Sequence, residues 1–141
     1  MVSLSEKVNA EKENVDRVLA DLETAMNKEE KSVIELAAIA TFLHNIYNGV
    51  ENILKQVLKE KGIIVPHSDT WHKELLDVSV SNNILPETLA DKLREYLAFR
   101  HFFVHGYGFM IDAAPLEELA RGIPSVWSEF LVDVEKVLQD K

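Results

Sequence analysis

Apolar residues recur at spacings of three, four and seven along most of this chain, the pattern of helices that bury one face. The first predicted helix runs from about Ser5 to Met26, with valines, leucines and alanines on one face and charged side chains on the other. No alternating strand pattern, repeat or low-complexity segment is present. The pattern therefore predicts a protein built from helices alone.

The second predicted helix is long and runs to about Lys61. Two capping patterns compete for its start, Ser32 followed by Glu35 and Asn27 followed by Glu30. An apolar stripe continues along its whole length, which is typical of a helix in the core of a bundle.

Gly49 lies in the middle of this helix, where a glycine costs about 1 kcal/mol relative to alanine. We therefore expect another helix to cross close to it. Three polar residues, His44, Asn48 and Glu51, fall near the expected crossing. They are interpreted as hydrogen-bonding groups between helices, with support of an active site as the alternative.

Further segments show helical spacing after the second helix. A short helix is expected from Trp71 to about Val78, followed by a connector to Leu85. His72 on this short helix is interpreted as structural. Pro86 suits the first turn of the next long helix, because its ring fixes a helical φ.

Near the end of the sequence, Pro115–Arg121 is predicted to form a short helix ended by Gly122, and Pro124 to begin the last long helix. Four main helices with one or two short ones predict an all-α, up-and-down helical bundle. At 141 residues the chain suits a single domain over residues 1–141.

The composition is that of a globular protein, with 47% hydrophobic and 28% charged residues. Without cysteine, the chain has no disulfide, no thiol catalysis and no cysteine-ligated metal, which fits a reducing cytoplasm. The strongly apolar stretch Leu36–Leu43 is far shorter than the roughly 20 residues that cross a bilayer. We expect a cytoplasmic protein with no membrane partner.

The net charge of −9 opposes indiscriminate binding of nucleic acids, because contacts to phosphate supply most of that affinity. A nucleic-acid substrate therefore requires local positive charge. Arg94 and Arg100 on one helix are available, as are four lysines on either side of one loop: Lys55, Lys59, Lys61 and Lys73. A solvated lysine face is the alternative. An acidic surface suits docking to a basic protein partner.

The stretch Glu95–Asp112 gathers a fixed cation, two imidazoles and a phenol, namely Arg100, His101, His105 and Tyr107. The two histidines are four residues apart and share one helix face. Arg100 and His105 lie about 140° apart around a helix axis, so a straight helix does not aim both at one atom. Convergence requires a bend, an unwound last turn at Gly106 and Gly108, or a second copy facing the first across a two-fold axis.

An imidazole and a guanidinium suit one reaction that needs no metal, the cleavage of RNA through its own 2′-hydroxyl. In the last turn, the helix dipole favours a protonated His105 by about 0.3–1 kcal/mol, and histidine is suited to moving protons. Arg100 presents a planar fork of donors for phosphate. The residue types permit this chemistry without requiring it. A structural histidine at a helix end, and a zinc site on His101 and His105, are the alternatives.

The octet Arg100–Tyr107 resembles the Arg-x4-His-x-Tyr signature of HEPN-domain ribonucleases, and in particular of HepT-type toxins. Three other stretches are similar to further motifs of that family and follow in the same order: Leu43–Leu54, Trp71–Leu76 and Tyr107–Asp112. The resemblance covers roughly residues 30 to 138, most of the chain.

This resemblance implies an all-α homodimer whose two signature helices meet and form one composite ribonuclease site for an RNA substrate. Arg100 and His105 would be the catalytic pair, and His101 would support them. Tyr107 would accept AMP from a partner nucleotidyltransferase of the MNT type, the antitoxin that silences this toxin. No metal or cofactor is implied. The alternative is a non-catalytic substrate-binding or regulatory subunit of a nucleotidyltransferase.

Overall fold

The computed structural model describes residues 2–65, 68–107 and 112–139. Within these ranges no strand occurs. The elements in order are α1 (Leu4–Met26), α2 (Val33–Glu60), α3 (Trp71–Ser81), α4 (Glu87–Phe102), a π-helical turn (Phe103–Tyr107) and α5 (Ala113–Gln139). The predicted all-α bundle of four main helices with a short one, α3, is therefore confirmed.

Helix α2 lies at the centre of the bundle and contacts α1, α3, α4 and α5. Its start follows the capping pattern at Ser32 and not the competing one at Asn27. The Ser32 hydroxyl oxygen accepts a hydrogen bond from the backbone N–H of Glu35 at 3.4 Å. This bond satisfies one of the free N–H groups of the first turn and fixes where the helix begins.

Among the described helices, α2 is the one long and apolar enough to cross a membrane, with a mean hydropathy of 1.2. The core helix of a bundle passes the same test of length and composition. Side chains along its length, such as Ile39, Ile46 and Ile53, are fully buried against the other helices. Packing inside the bundle therefore accounts for the apolar stripe on the buried face of α2.

Helix α1 crosses α2 at Gly49, as the sequence predicts. A methyl group on Gly49 would overlap the Cγ2 atom of Val15, which is itself buried on α1. The glycine thus permits the close approach of the two backbones. The packing gained at this crossing offsets the low helix propensity of glycine.

Two details predicted around α3 and α4 are wrong. Helix α3 continues to Ser81, beyond the predicted end near Val78. Ser79 is fully buried inside it, and its Oγ donates to the carbonyl oxygen of Leu75 at 2.7 Å. A serine that satisfies its hydroxyl within a helix does not end that helix. Pro86 is the N-cap of α4 and so lies just before the first turn.

Helix α5 is continuous, so the predicted break between Pro115–Arg121 and a last helix from Pro124 is wrong. Gly122 lies where an added Cβ would meet the Tyr96 hydroxyl at 3.2 Å, so it makes room for a neighbour and does not end the helix. Pro124 is exposed in the helix interior, where proline costs about 3 kcal/mol. Buried residues keep helical spacing across both positions and stabilise the continuous form: Leu116, Ala120, Ile123, Trp127 and Phe130.

Candidate active site at the end of helix α4

The C-terminal end of α4 continues directly into the π-helical turn. Gly106 lies inside this turn, and the unwound last turn stays one of the three predicted ways in which Arg100 and His105 could converge. Gly108 lies outside the described residues. A π-helical turn widens a helix by one residue and is frequent at functional sites.

Ring contacts hold the π-helical turn against the bundle. The Phe103 ring centroid lies 6.1 Å from that of Phe99 on α4 and 5.2 Å from that of His44 on α2. Phe103 is half-buried, whereas Val104 and His105 are exposed. The turn therefore has one side in the bundle and presents a histidine to solvent on the other.

Arg100 is half-buried near the end of α4 and is tied to α2 by a hydrogen bond. Its Nε donates to Oδ1 of Asn48 at 3.1 Å, and Nδ2 of Asn48 lies 3.1 Å from Nε2 of His44. This chain of three polar side chains confirms the interhelical hydrogen bonding predicted for Asn48. It also connects His44 with the predicted catalytic arginine.

Arg94 and Arg100 share α4 but have different electrostatic surroundings. The Arg94 guanidinium lies 3.1 Å from Asp77, 3.6 Å from Glu87 and 3.5 Å from Asp91. These carboxylates neutralise Arg94, so it adds little local positive charge for a substrate. Within the part of the chain that the structure describes, Arg100 has no carboxylate at ion-pair distance and its one side-chain hydrogen bond goes to a neutral amide.

The four lysines near the α2–α3 connection are exposed. Lys55 places its ammonium 4.0 Å from the centroid of the Trp71 ring, a cation–π contact between α2 and α3. Lys59, Lys61 and Lys73 are exposed near the same connection in the sequence. Their arrangement suits a solvated face and a substrate surface equally, so both predictions stand.

His101 and His105 lie next to each other on the exposed side of the helix end, with ring centroids 4.2 Å apart and planes inclined by 50°. The spacing of four residues thus brings the imidazoles together, as expected. In the described residues of this chain, no hydrogen bond or ring contact joins His105 to Arg100. Arg100 instead contacts α2, while His105 faces solvent.

The side chain of Tyr107, the predicted AMP acceptor, lies outside the described residues. Across residues 2–65, 68–107 and 112–139, no group of three or more histidine, aspartate or glutamate side chains is arranged to hold a metal ion. The two neighbouring imidazoles therefore lack a third ligand in that part of the chain.

A second polar pair, Glu51 and His72, lies between α2 and α3. Glu51 is buried, and Nδ1 of His72 is 2.9 Å from each of its carboxylate oxygens. This contact confirms interhelical bonding for Glu51 and supports the structural interpretation of His72. One turn before Glu51, Tyr47 is also buried. Burial and the charge of Glu51 raise the pKa of the Tyr47 phenol far above its usual range, and its hydroxyl has no partner at hydrogen-bond geometry among the described residues.

The partner of Arg100 could not be read from the sequence. His44 and Asn48 are one turn apart, so they share a helix face, and this spacing is the signal that both contribute to one site. The sequence does not reveal that this face is turned toward α4 and not toward α1 or α3.

A family model described as HepT-like protein matches residues 38–140 of the chain. The matched region includes most of α2 and continues through α3, α4, the π-helical turn and α5, so it contains every residue of the candidate site. No curated protein and no solved structure matches the chain.

Proposed function

Because this chain belongs to the HepT-like protein family, we propose that it is a metal-independent endoribonuclease and the toxin of a toxin–antitoxin pair. Arg100 and His105 are the catalytic residues in this proposal, and His101 supports them. The substrate is RNA, and the nucleophile is the substrate's own 2′-hydroxyl.

The observation that carries the proposal is the contrast between the two arginines of α4. Three carboxylates surround Arg94, whereas Arg100 is bound only to the neutral amide of Asn48 among the described residues. A guanidinium whose charge is not neutralised binds an anion more strongly than one already paired. In a protein of net charge −9, an arginine kept free of carboxylates is suited to a phosphate.

The proposed reaction needs two proton transfers, one from the attacking 2′-hydroxyl and one to the leaving 5′-oxygen. The 2′-oxygen attacks the adjacent phosphorus and loses its proton, while the 5′-oxygen of the next nucleotide leaves and gains one. His105 is exposed and can reach a bound substrate, so it serves one of these transfers. Arg100 stabilises the charge that develops on the phosphorane oxygens. The products are a 2′,3′-cyclic phosphate and a 5′-hydroxyl.

A second copy of the chain completes the site in this proposal. Within one copy, Arg100 contacts α2 and His105 faces solvent beside His101. Pairing across a two-fold axis brings the arginine of one copy to the histidine of the other. This arrangement supports activity as a homodimer.

Silencing is proposed to occur at Tyr107, two residues after His105. A nucleotidyltransferase antitoxin transfers AMP from ATP to the phenol oxygen of Tyr107, and pyrophosphate leaves. The added group carries a phosphate, whose negative charge competes with RNA for the cation of Arg100. Co-production with the partner enzyme should add the mass of AMP to wild-type protein and not to Tyr107→Phe.

The test of the ribonuclease function uses purified protein, mixed cellular RNA and EDTA. We expect cleavage that leaves 2′,3′-cyclic phosphate ends. Arg100→Ala should lower the rate by about 10²–10³-fold, the usual effect of removing a group that stabilises transition-state charge. His105→Ala should lower it by about 10²–10⁴-fold through loss of proton transfer.

Arg94→Ala is the matched control, since it removes a positive charge from the same helix at a position already neutralised by carboxylates. It should leave cleavage near the wild-type rate. Equal losses in Arg94→Ala and Arg100→Ala would contradict the assignment of Arg100. Unchanged cleavage in Arg100→Ala or in His105→Ala would contradict the catalytic role of the residue replaced. A requirement for added metal would favour the zinc alternative at His101 and His105.

The second function to consider is a non-catalytic substrate-binding or regulatory subunit of a nucleotidyltransferase. The net charge of −9 favours it, because an acidic surface attracts a basic protein partner and repels RNA. No cleavage across varied RNAs by protein unmodified at Tyr107, together with stable binding to the nucleotidyltransferase, would select this function.

A further inference from the structure

We propose that Asn48 and His44 are positioning residues, which fix the direction of the Arg100 guanidinium so that its terminal nitrogens face the phosphate of the substrate. This inference deepens the proposed ribonuclease function and depends on it for its kinetic consequences. The arrangement of the three side chains themselves can be tested independently.

The orientation of the Asn48 amide follows from the chemistry of arginine. A guanidinium has five N–H donors and no acceptor, so the atom of Asn48 that faces Arg100 Nε at 3.1 Å must be the oxygen. The amide nitrogen then points to His44, 3.1 Å from its Nε2. Since that nitrogen is a donor, Nε2 of His44 must be an unprotonated acceptor.

His44 is therefore neutral and carries its proton on Nδ1. Burial and the neighbouring charge of Arg100 both lower the pKa of His44, which agrees with a neutral ring. Nδ1 is buried and has no hydrogen-bond partner within the described residues. Leaving a buried donor unpaired costs stability, so stability alone does not explain a histidine here.

The same network leaves the two terminal nitrogens of Arg100 available to a substrate. Asn48 occupies the Nε–H, and the four N–H groups of the two terminal nitrogens have no hydrogen-bond partner in the described chain. Those four donors form the fork that binds two oxygens of a phosphate. A guanidinium held at Nε can rotate less, so less freedom is lost when the phosphate binds.

His44 also connects this network to the position of the second catalytic residue. Its ring contacts Phe103 at 5.2 Å between centroids, and Phe103 begins the π-helical turn that contains His105. His44 thus contacts the π-helical turn directly and Arg100 through Asn48. The geometry favours joint positioning of Arg100 and the π-helical turn.

The kinetic test compares steady-state RNA cleavage by wild type, Asn48→Ala, His44→Leu and His44→Gln. Asn48→Ala should lower kcat by about 10²-fold with a smaller change in KM, the size expected when a catalytic group is misplaced by about 1 Å. His44→Leu removes the acceptor for Asn48 and should also lower kcat. His44→Gln provides a side-chain oxygen as acceptor and no titratable proton, so it should restore most of the rate. Asn45→Ala, on an exposed face of α2, is the matched control and should cleave like wild type.

The spectroscopic test does not depend on cleavage. In the NMR spectrum of wild type, the Arg100 Nε–H should exchange slowly with water, and the His44 ring should carry its proton on Nδ1. Asn48→Ala should speed the Nε–H exchange at Arg100 and leave it unchanged at Arg94. If wild type does not cleave RNA, the ribonuclease function fails while these spectra still decide the hydrogen-bond arrangement.

Three results would overturn the inference. The first is a His44 ring that is protonated on Nε2 in wild type. The others concern Asn48→Ala, namely an unchanged exchange rate of the Arg100 Nε–H with water, or a kcat equal to that of wild type. If the kcat of His44→Gln does not exceed that of His44→Leu, a hydrogen-bond acceptor is not what His44 provides. That result would also overturn the inference. If Asn48→Ala does not fold, the wild-type tautomer and the two His44 variants decide the question.

Discussion

Glu51 is the one charged side chain among the described residues that is buried in the core, and its partner is His72. The carboxylate is 3% exposed, so it is largely removed from water and depends on the imidazole for compensation. This pair and the Asn48–Arg100 contact both originate on α2, one turn apart. The first joins α2 to α3, and the second joins α2 to α4, so neighbouring polar residues have separate roles.

His72→Ala should destabilise the protein by about 3–5 kcal/mol, because it leaves a buried carboxylate unpaired. Glu51→Gln should cost less, since the amide is uncharged and its oxygen can still accept a hydrogen bond from the imidazole. Urea unfolding of the two variants measures the difference. Equal stability of His72→Ala and wild type would show that the pair does not compensate the buried charge.

Tyr96 predicts a pH dependence of stability. Its hydroxyl donates to the carbonyl oxygen of Leu119 at 2.7 Å, and burial, then the charge of Glu95, raises the pKa of Tyr96 to about 12. An unfolded tyrosine loses its proton near 10. Because the folded pKa is raised, the stability from the neutral phenol is complete below pH 10 and is lost as the pH rises through 12.

Tyr96→Phe should therefore lower the free energy of unfolding by about 1 kcal/mol at neutral pH. The stability difference between wild type and Tyr96→Phe should shrink above pH 10, because the variant lacks the titrating group. Urea unfolding at a series of pH values measures both effects. A difference that stays constant up to pH 12 would contradict the raised pKa.

At the scale of elements, the sequence predicts the helices well where the spacing of apolar residues is unbroken. Helices α1 and α2 lie close to their predicted bounds, and the crossing at Gly49 follows from a glycine within an apolar stripe. Predictions failed where local signals compete with packing. Gly122 and Pro124 are typical of a helix boundary, but burial on both sides of them keeps α5 continuous.

The π-helical turn is the element that the sequence could not indicate. Gly106 favours a helix end, whereas the ring contacts of Phe103 with α2 and α4 hold the segment in a helical form. The motif pointed to Arg100 and His105, but not to Asn48, which accepts a hydrogen bond from Arg100. Which helix faces Asn48 depends on the packing of the whole bundle, and a single sequence does not encode that locally.

Gly49→Ala tests the crossing of α1 and α2. The new methyl group overlaps Val15, and such overpacking typically costs about 1–3 kcal/mol, partly offset by the gain in helix propensity of about 1 kcal/mol. We expect a net loss of stability. Adding Val15→Ala to Gly49→Ala should recover part of it, whereas Val15→Ala alone should destabilise the protein by removing a buried side chain.

A double-mutant cycle of these variants, measured by chemical denaturation, gives the coupling between the two positions. A favourable interaction between the two alanines supports close contact of the helices at Gly49. Additive effects of the two substitutions would show that the backbones do not approach closely there.

At the scale of the whole molecule, the acidic protein and its proposed RNA substrate are reconciled by local differences in charge. Carboxylates neutralise Arg94 but do not approach Arg100 in the described part of the chain. The net charge of −9 then disfavours binding of RNA away from the site. Binding should depend on few cationic contacts, which gives a shallow dependence of affinity on salt concentration.

In the proposed homodimer, Arg100 of one copy acts with His105 of the other. Two inactive variants, Arg100→Ala and His105→Ala, are produced together with different tags, and the mixed dimer is purified on both tags. We predict that this mixed dimer regains RNA cleavage in EDTA, because one intact arginine meets one intact histidine across the interface. A purified mixed dimer that stays as inactive as its parents, when wild type cleaves under the same conditions, would contradict the account.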